Sequence, residues 1–152
     1  MTKRLKIYLD TSVPNAYFDD KNPFRKEITR EFWNKLKDYE VFISDIVIKE
    51  IEDIGYTTKK KELLEIIHDF KTLLGNENEI KALAEEYIMR GVIPLKHIED
   101  AIHIAVASYN YLDVLISWNF EHIVKLKTKR EVNVINVLLG YNQLEIIEPS
   151  MI

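Results

Sequence analysis

The chain has 152 residues, of which 47% are hydrophobic and 30% are charged, and its formal net charge is −4 at pH 7. This length and balance predict one globular domain over residues 1–152 and exclude disordered and fibrous classes of protein. Cysteine is absent, which excludes disulfide scaffolds, cysteine-ligated metal sites and thiol catalysis. The negative charge excludes a globally basic surface, so a nucleic-acid partner would have to bind local basic clusters.

The sequence carries no membrane or export signal that we recognise. No apolar stretch reaches the length of about 18 residues that a spanning helix needs. Residues 1–6 contain charges and are not followed by the apolar run of a signal peptide. We therefore expect a cytoplasmic protein with no membrane partner.

The first predicted elements are a short buried strand and two helices. Residues 5–9 (LKIYL) are mainly apolar and are followed at once by polar residues, which is typical of a buried strand. Residues 10–12 (DTS) are helix N-cap types, and Pro14 suits the first turn of a helix. Residues 25–39 carry apolar side chains at helical spacing and are predicted to form the next helix.

The middle of the chain repeats this order of strand and helix. Residues 41–43 (VFI) are predicted to form a second strand, followed by a helix over residues 46–54. Two longer helices are predicted over residues 60–74 and 77–90, because their apolar residues recur at helical spacing and each segment is followed by glycine.

The last third begins with a helix that is apolar on nearly all sides, over residues 98–110, as is typical of a helix buried between layers. A short helix is predicted over residues 121–128. Strands separated by helices, with strands apolar on both faces, predict a mainly parallel sheet covered on both sides. Three further strands are predicted, over residues 114–117, 132–137 and 144–147.

Polar residues at the ends of these strands are the candidate functional groups, because open parallel sheets place their sites at the carboxyl ends of strands. Asp10 follows the first strand, Asn119 follows the strand at 114–117, Glu50 lies along an apolar helix stripe, and Asp100 opens the buried helix. Singly, each acid has an ordinary explanation: a cap, a carboxylate in water, or an acid favoured by the helix dipole.

Together, three acids that lean toward the interior indicate a metal site. A buried carboxylate is costly unless it is paired, hydrogen-bonded or bound to a metal. No Lys or Arg in the sequence is an obvious partner for each acid. Mg²⁺ prefers carboxylate oxygen, and such a site suits the hydrolysis of phosphodiesters.

The order and spacing of these motifs resemble the PIN-domain ribonucleases, in particular the VapC-type toxins of prokaryotic toxin–antitoxin pairs. The resemblance covers essentially the whole chain. The matching segments are IYLDTSVPNAYF (7–18), ISDIVIKEIE (43–52), EDAIHIAVA (99–107), LISWNFEHIV (115–124) and LLGYNQLEIIEPSMI (138–152).

The resemblance implies a three-layer α/β/α fold with a parallel sheet of four to five strands, RNA cleavage dependent on Mg²⁺ or Mn²⁺, and a homodimer inhibited by a cognate antitoxin. Asp10, Glu50 and Asp100 fall on the family's acidic metal positions. Asn119 stands where many members have a fourth acid, which favours a single metal ion. Ser12 and Ser117 fall where the family often has small polar residues that hydrogen-bond the site, and we expect them to bind the substrate.

The expected mechanism follows from these assignments. Asp10 and Asp100 would hold the metal, Glu50 would bind it or help to deprotonate the attacking water, and Asn119 would orient water or phosphate. Attack on phosphorus would leave 5′-phosphate and 3′-hydroxyl ends, as the resemblance implies. A basic cluster that includes Lys125 and Lys127 is a candidate for binding RNA phosphates.

The histidines are expected to be structural: His103 in the core, and His97 and His122 on the surface or in loops. Two alternatives to the enzyme remain. One is a PIN-fold module that binds RNA or an antitoxin but has lost turnover through Asn119. The other is a flavodoxin-like or receiver-like signalling domain, whose expected signature after the first strand is not evident here.

Overall fold

The computed structural model describes residues 3–55 and 57–152, and its centre is a five-stranded sheet in which all neighbouring strands are parallel. The strand order is β3-β2-β1-β4-β5. This agrees with the α/β class and the parallel sheet expected from the sequence. The strands are β1 (Lys6–Leu9), β2 (Glu40–Ser44), β3 (Lys71–Leu73), β4 (Val114–Ile116) and β5 (Glu145–Ile147).

Seven α-helices flank the sheet within the described residues, and three short 3₁₀ turns accompany them. The 3₁₀ turns are Leu36–Asp38, Leu95–His97 and Pro149–Met151. The helices are α1 (Ser12–Tyr17), α2 (Pro23–Trp33), α3 (Asp45–Glu52), α4 (Thr58–Ile67), α5 (Glu77–Met89), α6 (Ile98–Tyr109) and α7 (Leu126–Leu138).

The central strand β1 fixes the position of the candidate site. Ile7 pairs with Val41 of β2 on one side and with Val114 of β4 on the other. The backbone N–H of Asp10 donates to the carbonyl of Ile116, 3.3 Å away, which ties the ends of β1 and β4 together. The residues that follow these two strands therefore meet at the carboxyl edge of the sheet.

Helix α6 is the most buried helix, as its all-round apolar sequence predicts. It packs against α5 and β4. Its residues from His103 to Ser108 are all buried, and Ala101 is fully buried. The first turn of α6 is less buried than the rest of the helix. It carries Asp100, which is half-buried.

Two predicted elements in the last third of the chain are wrong. Residues 132–137 lie inside helix α7 and do not form a strand, and residues 121–128 contain turns and only the start of α7. The β-branched residues suggested a strand. The buried residues of α7 are spaced four, three and one residue apart, so they lie on one face of a helix. They are Thr128, Val132, Ile135 and Asn136.

The predicted helix over residues 60–74 is too long. Helix α4 ends at Ile67, and residues Lys71–Leu73 form the edge strand β3, which pairs with Phe42, Ile43 and Ser44 of β2. A strand of three residues is too short to show a periodic pattern in the sequence. The extended conformation of β3 is therefore determined by its pairing with β2 and not by local propensity.

None of the helices in the described part of the chain has the length and apolar character required to cross a membrane.

Candidate functional site

Asp10 is the most enclosed carboxylate of the site, with 3% of its surface exposed. Its Oδ1 accepts hydrogen bonds from the Ser12 hydroxyl at 2.5 Å and the Ser12 backbone N–H at 3.1 Å. Its Oδ2 accepts one from the Ser117 hydroxyl at 2.5 Å. Burial raises the pKa of Asp10, and this effect outweighs the nearby His103 and the two serine hydrogen bonds.

The two serines are themselves held by the backbone that follows β4. The backbone N–H of Trp118 donates to Ser12 Oγ at 2.8 Å, and that of Asn119 donates to Ser117 Oγ at 2.9 Å. Each hydroxyl therefore accepts one hydrogen bond from the backbone and donates one to Asp10. The structure places Ser12 and Ser117 so that they orient this carboxylate.

Glu50 is anchored through one oxygen only. Its Oε1 accepts a hydrogen bond from Thr11 Oγ1 at 3.0 Å and lies 2.6 Å from His103 Nε2. Burial by itself raises the pKa of Glu50, but the hydrogen bond and charge of His103 and the bond from Thr11 outweigh it and lower the pKa. Glu50 Oε2 has no hydrogen-bond partner among residues 3–55 and 57–152, so it remains available to a ligand.

His103 is a core residue, as expected, but it belongs to the site. Its Nδ1 lies 2.7 Å from the Tyr8 hydroxyl, which lies 2.7 Å from Ser44 Oγ. Burial lowers the pKa of His103, yet its hydrogen bond to Glu50 and three nearby carboxylates together raise it. Those carboxylates are Asp10, Glu50 and Asp100. His103 therefore contacts Glu50 directly and lies within electrostatic range of Asp10 and Asp100.

Asp100 and Asn119 form a pair on the open side of the site. Burial raises the pKa of Asp100, although the hydrogen bond from Asn119 and the nearby imidazoles lower it. Asn119 Oδ1 accepts a hydrogen bond from the His122 backbone N–H at 2.9 Å, so its amide nitrogen is the end that faces Asp100. Asn119 thus joins Asp100 to the turn that carries His122.

His97 ends the 3₁₀ turn Leu95–His97 and His122 lies in a turn, which agrees with the loop positions expected from the sequence, but both are half-buried beside Asp100. Their rings stack with centroids 4.1 Å apart. One potential ligand atom from each of His97, Asp100 and His122 lies within 4.8 Å of the others. Asp100 lies three residues after His97, and this spacing at the start of a predicted helix is the sequence signal that could have indicated the pair.

Arg25 is the other residue that the sequence did not single out. It lies on α2 and lines a cleft of about 500 Å³ together with Ser12, Asp100 and Asn119. Its guanidinium lies 5.2 Å from the Trp118 ring centroid and 5.3 Å from that of Phe120. These aromatic contacts hold a positive charge in the cleft beside the carboxylates.

Lys125 and Lys127 do not line this cleft. Both are exposed at the N-terminal end of α7, where Lys125 is the N-cap residue, and Lys127 Nζ lies 3.4 Å from the Gly91 carbonyl. The first turn of α7 contains no acidic residue. The positive end of the helix dipole and these lysines therefore give this surface a local positive potential.

Taken together, the geometry gathers Asp10, Glu50 and Asp100 around His103 at the carboxyl edge of the sheet. No Lys or Arg forms a salt bridge with any of these three acids in the described residues. The serines, Thr11 and Asn119 fix the carboxylates without neutralising them. Such an arrangement is suited to bind a divalent cation.

Comparisons with known proteins agree with this architecture. The family model of the PIN domain matches residues 7–122. The chain is similar in fold to FitAcB from Neisseria gonorrhoeae, with a TM-score of 0.58 and 15% identity, over 96% of this chain and 99% of that one. It is also similar to VapBC2 from Rickettsia felis bound to a DNA fragment from their promoter, with a TM-score of 0.56 and 16% identity, over 95% and 98% of the two chains. No curated protein sequence matches it.

Proposed function

Because this chain belongs to the PIN-domain family, we propose that it is a metal-dependent endoribonuclease that uses Asp10, Glu50 and Asp100 to hold a Mg²⁺ or Mn²⁺ ion. The observation that carries the proposal is that contacts bring three carboxylates from separate segments together: Thr11, next to Asp10, bonds Glu50, and Glu50 contacts His103, which lies three residues after Asp100 on α6. Burial raises the pKa of Asp10 and of Asp100, and the charge of Asp100 raises that of Asp10 further, so a divalent cation would stabilise the charged form of both.

The donor set fits such an ion. Asp10 accepts two hydrogen bonds on Oδ1 and one on Oδ2, and each carboxylate oxygen has about two lone-pair sites, so Oδ2 retains one for a metal. Glu50 has a free oxygen, and Asp100 is half-buried at the wall of the cleft. Hard carboxylate ligands of this kind are those that Mg²⁺ and Mn²⁺ prefer.

When bound, the ion would lower the pKa of a coordinated water and stabilise negative charge on the phosphate. The protein's own groups would do the rest. With its free oxygen Glu50 would bind the ion or accept the proton of the attacking water, while Thr11 and His103 hold its other oxygen in place. Ser12 and Ser117 would keep Asp10 oriented. Attack on phosphorus would break its bond to the 3′ oxygen and leave 5′-phosphate and 3′-hydroxyl ends.

RNA would enter along the cleft and extend over the start of α7. Arg25 supplies a positive charge in the cleft, and Lys125 and Lys127 supply two more outside it. The lysines at the start of α7 are repelled by the positive end of the helix dipole. A phosphate bound there would be attracted by both and would reduce this repulsion. Asn119, whose side chain bonds Asp100 and the His122 backbone, would act on the carboxylate and not directly on phosphate.

We propose further that the chain acts in the cytoplasm as a toxin, forms a homodimer and is neutralised by a cognate antitoxin. The proposal is supported by the resemblance of its motifs to VapC-type toxins. It is also supported by apolar side chains on α7 that are exposed in the single chain: Val134 by 61%, Val137 by 58% and Leu138 by 66%. Sedimentation of the chain alone and with the product of an adjacent reading frame would test both partners.

The test of the activity is cleavage of a mixed cellular RNA pool by the purified chain with Mg²⁺, with Mn²⁺ and with EDTA. Asp100→Ala serves as the inactive variant. Asp69→Ala is the matched control, because it also removes a carboxylate, but one that is exposed and contacts His68 instead of the site. We expect cleavage that requires metal, disappears in Asp100→Ala and persists in Asp69→Ala. Cleavage that survives EDTA and the loss of Asp100 would refute the proposal.

One observation favours a second candidate, an RNA- or antitoxin-binding module without turnover. The residue at 119 is an amide whose oxygen is occupied by the His122 backbone, so it supplies no charge at the fourth position. This candidate predicts that the folded chain, freed of partners, cleaves no RNA with any metal but still binds RNA or antitoxin.

A further inference from the structure

The imidazoles beside Asp100 give the site a second kind of ligand. Of the chain's four histidines, His68 is exposed and lies 3.4 Å from Asp69, and His103 has both ring nitrogens engaged by Tyr8 and Glu50. His97 and His122 differ from both. They are stacked and half-buried, and their potential ligand atoms lie within 4.8 Å of an Asp100 oxygen and of each other.

His122 carries a buried nitrogen without a hydrogen bond. Its Nε2 has no hydrogen-bond partner within residues 3–55 and 57–152, and the nearest acid, Glu121, lies 3.5 Å away without hydrogen-bond geometry. A buried polar atom left without a partner costs about 1–3 kcal/mol, so such an atom is usually satisfied by water or an ion. An ion bound through this nitrogen would supply the missing partner.

Asn119 lies between two of these three residues. Its side-chain oxygen accepts the His122 backbone N–H at 2.9 Å, and against the effect of burial its amide is one of the groups that lower the pKa of Asp100. An acid at this position would repel Asp100. Asn119 therefore fixes the turn that carries His122 beside Asp100.

From these observations we propose that His97, Asp100 and His122 form a binding site for a first-row transition-metal ion such as Mn²⁺, Co²⁺ or Zn²⁺. Imidazole nitrogen suits these ions, whereas Mg²⁺ prefers oxygen ligands alone. This site shares Asp100 with the carboxylate site. Its presence does not depend on the proposed function, but the reaction that its ion would serve does. It replaces the expectation of a single metal ion with two sites of different ligand chemistry.

The test is binding of Co²⁺ to the metal-stripped full chain, followed by its visible absorption, because nitrogen ligands and low coordination number intensify the bands relative to hydrated Co²⁺. The variants are His97→Gln/His122→Gln and, as a matched control, His68→Gln. Asp10→Asn is added to report on the carboxylate site alone. Circular dichroism confirms that each variant is folded.

We expect the intense bands in the parent chain, in His68→Gln and in Asp10→Asn, and their loss in the double histidine variant, with affinity reduced by more than about tenfold. A large excess of Mg²⁺ should leave the bands unchanged. Equal bands in the parent and the double histidine variant, or bands lost only in Asp10→Asn, would overturn the proposal. RNA cleavage is measured separately, so a chain that binds Co²⁺ but cleaves no RNA would refute the proposed function and leave this site standing.

Discussion

Two buried polar clusters join distant segments of this chain, and they differ in charge. The neutral cluster consists of Tyr87, Ser108 and Asn136, which are 0%, 2% and 0% exposed. Tyr87 donates to Asn136 Oδ1 at 2.5 Å, Asn136 Nδ2 donates to Ser108 Oγ at 2.9 Å, and the Tyr87 and Ser108 hydroxyls lie 3.2 Å apart. Burial raises the pKa of Tyr87, which keeps its hydroxyl neutral. This cluster is complete without any ligand.

The acidic edge, defined as Asp10, Glu50 and Asp100, is held equally well but is not complete. Neutral hydroxyls bond Asp10 and Glu50, His103 pairs with Glu50 alone, and no Lys or Arg pairs with any of the three acids within residues 3–55 and 57–152. A saturated neutral cluster contributes to stability, whereas buried carboxylates without a cation oppose it. Hydrogen bonding alone therefore does not distinguish a structural cluster from a functional one. The feature that distinguishes them is negative charge that no neighbouring cation compensates.

The sharpest way to break this comparison is Asp10→Asn, which removes charge and keeps shape. RNA cleavage should fall by more than the roughly 10–100-fold that loss of an outer-shell partner costs, because a metal ligand is lost. The free energy of unfolding of the metal-free chain should stay the same or rise, because a buried charge is removed. Urea unfolding in EDTA and cleavage in Mg²⁺ measure the two effects. A loss of stability beyond about 1 kcal/mol would show that the acidic edge supports the fold.

The opposite result is expected for Asn136→Ala in the neutral cluster. The free energy of unfolding should fall by about 2–3 kcal/mol, because Tyr87 and Ser108 lose partners and a small cavity opens. Metal affinity should not change. Val134→Ala on the exposed side of the same helix is the control and should shift stability by less than about 0.5 kcal/mol. Weakened metal binding in a folded Asn136→Ala chain would contradict the separation of the two clusters.

Tyr8→Phe tests whether the network behind Glu50 matters for function. It removes the hydroxyl that lies between His103 and Ser44 and leaves the buried ring in place. We expect about tenfold weaker metal binding and cleavage, and about 1 kcal/mol less stability, since the imidazole that orients Glu50 loses a partner. Tyr17→Phe is the control, because the Tyr17 hydroxyl makes no hydrogen bond to the described residues. A stability loss with unchanged metal affinity would reduce Tyr8 to a structural role.

The fold and the acids were predictable from the sequence because they depend on short-range pattern. The strand β1 and the acid that follows it are adjacent in sequence, and the apolar surface of α6 identifies it as buried. Helix α7 was not predictable in this way, because its β-branched residues favour a strand locally and its packing decides otherwise. The same holds for β3, which depends on pairing with β2.

The hydrogen-bond partners of the acids were not predictable from the sequence. Residues of the types that usually cap helices form hydrogen bonds to residues far away in sequence instead. Thr11 and Ser44 occupy the N-cap positions of α1 and α3, but neither side chain caps its helix. Thr11 bonds Glu50 and Ser44 bonds Tyr8. Likewise, His97 and His122 are far apart in sequence, so only the tertiary structure brings their rings together.

The smallest expected effect concerns the surface outside both clusters. Lys125→Ala/Lys127→Ala should weaken binding of a single-stranded RNA several-fold at low salt. The dependence of log affinity on log salt should decrease in slope by up to about 1.4, because each lost phosphate contact contributes about 0.7. Fluorescence anisotropy in EDTA measures binding without cleavage. Lys59→Ala/Lys60→Ala, on α4, removes the same charge elsewhere and should leave the slope nearly unchanged. If the α4 pair alters the slope and the α7 pair does not, RNA follows a path over α4, and the positive surface at the start of α7 has no part in binding.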